Sequence, residues 1–166
     1  MTSDKNCVPQ PLYENANVSF ADIPQNTVSA GTDSIYVGNN NTRTLSPGNY
    51  KAIVVDSRCL LILNAGTYNM ASLIFRTDAK LTINGTVNLN VNNNLLFDDR
   101  VTMTVSSINN VNIYTNSSQI SFGEMTFKGN VIAPNAHVTL KSRINYRGSI
   151  KANVLFFDYD AKLYDY

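Results

Sequence analysis

Apolar and polar residues alternate in short runs along most of the chain, and the runs return at a regular interval. Leu61-Ile62-Leu63-Asn64 is followed by Leu81-Thr82-Ile83-Asn84, then by Val101-Thr102-Met103, Ile120-Ser121-Phe122, Val138-Thr139-Leu140 and Val154-Leu155-Phe156. The interval shortens from about 20 to about 16 residues, the scale of one solenoid turn. In each triplet the outer residues are apolar and the middle one is usually Thr or Ser. Strand alternation then sends the outer pair inward and the middle residue to solvent. A second column precedes the first: Ile53-Val54-Val55, Leu73-Ile74-Phe75, Leu95-Leu96-Phe97, Val111-Asn112-Ile113, Val131-Ile132-Ala133 and Ile150-Lys151-Ala152. A third follows it, carrying Tyr68 and Met70, then Val87, Leu89 and Val91, Val105, Met125 and Phe127, and Ile144 and Tyr146.

Corner residues separate these runs: Asp56-Ser57-Arg58, Thr77-Asp78-Ala79, Asn92-Asn93-Asn94, Asn116-Ser117-Ser118 and Pro134-Asn135-Ala136. Three short strands and three corners per repeat predict an all-β fold, a single-stranded parallel β-helix (β-solenoid) of about six rungs. An antiparallel β-sandwich also has short alternating strands and frequent turns, but it does not call for columns matched at one period.

The repeat covers residues 45–166, and residues 1–44 show none. That leading segment carries Pro9, Pro11 and Pro24 and reads as an irregular N-terminal cap or arm. The closing run from Phe156 to Tyr166 is aromatic and acidic and reads as a C-terminal cap. A solenoid exposes an unpaired strand edge and apolar core at each end, so capping or stacking on a partner is expected there.

Charged residues make up 15% of the 166 residues and the formal net charge is +1, which leaves no basic footprint for nucleic acid. Polarity comes instead from Asn, Thr and Ser. Asn64 and Asn84 fall at equivalent corners, where stacked amides can hydrogen-bond along the axis. No stretch approaches the ~20 apolar residues that span a bilayer, and no export signal is visible in this chain. Cys7 and Cys59 allow one disulfide, within or between chains, or two separate thiols.

Candidate chemistry is sparse. The single histidine, His137, reads as a surface residue, and nothing resembles a nucleophile elbow. Asp98 and Asp99 are adjacent at one corner, and neighbours along a strand point to opposite faces, unlike the facing carboxyls of glycoside hydrolysis. Asp158 and Asp160 can share a face and, with Asp165, form a candidate Ca²⁺ set, although calcium usually takes roughly six to eight oxygens. No other metal or cofactor is expected. Thr82, Thr102, Ser121 and Thr139 line up as an outward hydroxyl rank of the kind ice-binding solenoids display, but no second rank accompanies them. Tyr36, Tyr50 and Tyr114 are candidate glycan contacts, because sugar rings dock on aromatic faces.

Leu45-Ser46-Pro47-Gly48-Asn49-Tyr50 with Ala65-Gly66-Thr67-Tyr68 resembles the "L-x-P-G-x-Y … G-T-Y" opening of a family of bacterial exported β-solenoid domains. Phe127-Lys128-Gly129-Asn130-Val131-Ile132-Ala133-Pro134-Asn135-Ala136 is similar to the family's "F-x-G-x-I-x-A-P-N-A", and the resemblance continues through Gly148-Ser149-Ile150-Lys151-Ala152 to Ala161-Lys162-Leu163-Tyr164-Asp165. It implies an extracellular or cell-surface domain, found in surface and pilus-associated proteins, and assigns no catalytic residue. The expectation is therefore a non-catalytic structural or adhesive module that self-associates through its ends or N-terminal arm, or joins other surface proteins. A carbohydrate-binding module is the alternative, ahead of a polysaccharide-acting enzyme or an ice-binding protein.

Overall fold

The computed structural model describes residues 29–164. Thirteen strands follow one another: β1 Ser34–Val37, β2 Thr42–Leu45, β3 Gly48–Val55, β4 Leu60–Phe75, β5 Lys80–Phe97, β6 Thr102–Thr104, β7 Val111–Thr115, β8 Gln119–Phe122, β9 Thr126–Lys128, β10 Asn130–Leu140, β11 Asn145–Arg147, β12 Ile150–Phe157 and β13 Lys162–Tyr164. Every pairing among the described residues is parallel. The chain is a β-solenoid of about seven coils with three walls.

The first wall stacks Ile35, Ile53, Leu73, Leu95, Ile120, Val138 and Leu155 in register, with Val37, Val55, Phe75, Phe97, Phe122, Leu140 and Phe157 two residues on. The second wall carries Leu45, Leu63 and Ile83, then Met103 over Leu81, and ends in Phe127, Tyr146 and Leu163. The third runs through Tyr68, Leu89, Ile113 and Val131 to Ile150. Rings dominate the later half of the core. Phe97 stacks between Phe75 and Phe122 at 5.0 and 5.4 Å, and Phe127 meets Phe122 edge-on at 4.8 Å.

Two expectations change at this point. β1 and β2 pair into the sheet, so the solenoid reaches N-terminal of residue 45 and gains a coil over the six expected. The columns also exchange walls midway. Ile120 stacks on Leu95 of the first wall, not on Val101, and Val111 stacks on Val87 of the third. The cause is an unequal coil: the hydrogen bond from Glu124 to Asp99 spans 25 residues, against 22 from Arg100 to Asp78 and 19 from Arg143 to Glu124. The extra length is a loop with a short 3₁₀ turn at Ile108–Asn110. Inward and outward assignments survive, because all three walls alternate with the same period.

The last coil breaks that rule. Val154 and Phe156, expected inward, are 43% and 59% exposed, whereas Leu155 pairs with Val138 and packs on the core. Four consecutive apolar residues give either parity the same pattern, and a one-residue slip turns every side chain to the other face. The corner decides: Ala133 and His137 pair with Ala152 and Val154, so two residues drop out there.

Candidate functional site

The three corners are built from different chemistry. Between the first and second walls, tight turns repeat in which Cys59, Ala79, Ile144 and Ala161 donate from their N–H groups to the carbonyls of Asp56, Arg76, Lys141 and Asp158. The residue before each closing donor is left-handed: Arg58, Asp78, Arg143 and Asp160 have φ near 60°. Short polar or long charged side chains fill these places because they can stand in solvent while the following residue turns in.

Stacking these turns makes one ridge that holds seven of the eight described acidic residues, all but Asp33. The charges satisfy each other along the axis. Arg100 makes a bidentate pair with Asp78 at 2.8 and 3.0 Å, Arg143 meets Glu124 at 2.6 Å, and Arg76 lies 3.9 Å from Asp98. The Asp78 carboxyl is lowered below its usual range by the Arg100 hydrogen bonds, and Asp56 by the hydroxyl of Tyr36 at 2.6 Å.

A shallow cleft of about 190 Å³ on this ridge brings Asp99, Glu124 and Asp158 together with Lys141, Ser142 and Arg143. Three carboxylates from different coils thus converge, a grouping that the pairs Asp98/Asp99 and Asp158/Asp160 do not disclose in sequence. Each is engaged: Asp99 accepts from the Glu124 N–H, Glu124 is ion-paired, and Asp158 accepts from the Tyr159 N–H. That backbone bond lowers the Asp158 pKa, the reverse of what a general acid needs. Among the described residues no group of three His, Cys, Asp or Glu is placed to hold a metal. Asp160 faces a different hollow, with Arg143, Asn145 and Lys162, and Asp165 lies outside the described residues.

The corner between the second and third walls is made by Gly66, Gly85, Gly129 and Gly148, all with positive φ. A Cβ on Gly66 would sit 2.3 Å from Pro47, which couples the P-G and G-T-Y motifs physically. Tyr68 points inward beside it and shares its hydroxyl hydrogen between the Leu45 and Asn64 carbonyls, both at 2.8 Å. Burial raises its pKa to about 12.

Asparagine ladders run up the outside of the third wall. Asn90 donates to Asn69 and Asn69 to Asn49, each at 2.7 Å; Asn130 donates to Asn112 and Asn112 to Asn88. Asn64 and Asn84 are also in register. Six asparagines thus serve axial bonding on this wall.

The glycan candidates do not converge. Tyr36 lies outward on the first wall, Tyr114 outward on the third, and Tyr50 packs inward with its hydroxyl on the Ser46 carbonyl. The hydroxyl rank divides as well, with Thr82 on the second wall and Ser121 and Thr139 on the first. His137 is exposed. Cys59 is a free, fully buried thiol, and Cys7 lies outside the described residues.

The two ends differ most. At the N-terminal end the inward Ile35, Val37 and Leu45 are 8%, 2% and 6% exposed. Their counterparts in the last coil, Phe157 and Leu163, are 45% and 40% exposed. Among the described residues the aromatic C-terminal run thus forms a further coil, β12 and β13, whose inward residues remain partly exposed. Among the described residues, six of the seven exposed large apolar side chains lie there: Val154, Phe156, Phe157, Tyr159, Leu163 and Tyr164. Among the described residues β12 and β13 pair only on the side of β10 and β11. Among the described residues no helix is long and apolar enough to cross a membrane. No protein-family model, curated protein or solved structure matches the chain.

Proposed function

We propose that this protein is a non-catalytic extracellular structural or adhesive module that associates through the C-terminal end of its solenoid. The observation that carries this reading is the contrast, among the described residues, between the buried inward side chains of the first coil and the exposed ones of β12 and β13. Exposed core and an unpaired edge together form a template for another strand. The closed N-terminal end disfavours head-to-tail stacking and favours two C-terminal ends meeting about a two-fold axis.

Such a two-fold, perpendicular to the first wall, would lay β12 antiparallel against the β12 of a second copy. With Leu155 on the axis, Val154 stands opposite Phe156 of the other copy on the outer face, and Phe157 closes over the joined core. The exposed pair Val154 and Phe156 then finds cover as well. The resemblance to exported solenoid domains supports the extracellular setting. The expected N-terminal arm falls mostly outside the described residues.

Light scattering after size exclusion tests the proposal. The protein should elute as a dimer, and Phe157→Asp with Leu163→Asp should return it to a monomer with its β-sheet circular dichroism retained. A wild-type protein that is monomeric at every concentration would overturn it.

A further inference from the structure

We infer that the cleft between the inserted loop and the outer face of the second wall binds an acidic sugar through Lys128, Arg147, Ser106 and Ser107. The longest coil supplies the loop, which replaces the glycine corner used by its neighbours. Insertions in a solenoid leave the wall and build on its surface, often on a binding face. Here Ser106, Ser107 and Ile108 line an open hollow of about 290 Å³ together with Lys128 and Arg147.

The charges in this cleft are unusual for the molecule. Lys128 and Arg147 are direct register partners on adjacent strands, an arrangement that destabilises a sheet when both carry the same sign. The described ion pairs all lie on the acidic ridge and include neither residue. Arg147 is steadied by the Tyr164 ring, 5.6 Å from its guanidinium carbon.

The hydroxyls complete a set of donors. Ser107 Oγ accepts from the Asn109 N–H and Ser106 Oγ accepts from the Asn110 side-chain amide, so each keeps its own hydrogen to give. Two hydroxyls, an ammonium and a guanidinium therefore line one space, with no carboxylate among them. The matching ligand is rich in acceptors and negatively charged, and Ile108 offers apolar surface to a ring. A uronate or a sulfated sugar has this character. A formal net charge of +1 argues against a broad polyanion surface such as nucleic acid requires. The inference does not depend on end pairing.

Affinity electrophoresis with polygalacturonate, chondroitin sulfate and neutral dextran provides the test. One or both anionic polymers should retard the protein and dextran should not; retardation by only one assigns the carboxylate or the sulfate. The double variant Lys128→Gln/Arg147→Gln should weaken binding about tenfold or more, as expected for lost charge-assisted hydrogen bonds. Lys51→Gln/Lys151→Gln, which removes two exposed cations elsewhere, should leave it unchanged. Absence of retardation by either acidic polymer, equal retardation by dextran, or equal weakening in both double variants would overturn the inference.

Discussion

Phe122→Ala should be among the most destabilising single changes in the molecule. The side chain is fully buried. Its ring stacks on Phe97 at 5.4 Å and 12°, and meets Phe127 and Tyr146 edge-on at 4.8 and 5.7 Å. Truncating a buried Phe costs about 3–5 kcal/mol through lost transfer energy and the cavity left behind. Each ring pair adds about 0.5–1.5 kcal/mol beyond area. The rigid axial ladder on both sides limits collapse into the gap, so the cost should fall in the upper part of that range. Urea unfolding followed by circular dichroism measures it. A double-mutant cycle of Phe97→Leu and Phe122→Leu isolates the stack and should give a coupling of about 0.5–1.5 kcal/mol. A truncation cost below about 1 kcal/mol, or additivity within about 0.3–0.5 kcal/mol, would refute the register that sets Phe122 on Phe97.

Two further outcomes follow from the corners. Gly148→Ala should destabilise strongly, because φ is +132° and the new Cβ would lie 2.0 Å from the Gly129 carbonyl oxygen, whereas Gly48→Ala meets nothing nearer than 3.7 Å and should be nearly neutral in thermal melts. Asp56, Asp78 and Asp158 all have pKa values lowered from 3.8, so their contribution is present above that value and is lost as pH falls through the folded pKa values; Asp78→Asn should flatten the acid limb of a stability–pH profile. Tyr68 has the opposite sense: its neutral form is favoured by folding, so stability should decline from pH 10 towards about 12.

Much of this fold is readable from the chain because strand alternation is local. Leu61 and Leu63, Leu73 and Phe75, and Tyr68 and Tyr146 are inward in sequence pattern and fully buried in the structure. Which wall each residue joins is not local. A constant period carries Val101 to Ile120, whereas the loop before β7 adds length that the alternation does not register, and only pairing shows Leu95 beneath Ile120. Val154-Leu155-Phe156-Phe157 fails for another reason: a uniformly apolar run has no phase.

The candidate sites were less legible. The clefts join residues from separate coils, such as Lys128 with Arg147 and Asp99 with Asp158, and their alignment depends on the same pairing. Aromatic and charged composition marked the C-terminal run but did not show that its inward residues stay more exposed than those of the first described coil. That difference rests on Phe157 and Leu163 having no further coil against them among the described residues.

The most direct test of end-to-end pairing is oxidative cross-linking of Leu155→Cys in a Cys7→Ser background, read on a nonreducing gel. In the proposed dimer residue 155 faces its own copy across the two-fold axis, so a disulfide-linked dimer should form rapidly, while Lys151→Cys in the same background should remain largely monomeric. Leu155→Cys that stays monomeric under oxidation, or cross-links no faster than Lys151→Cys, would contradict the account.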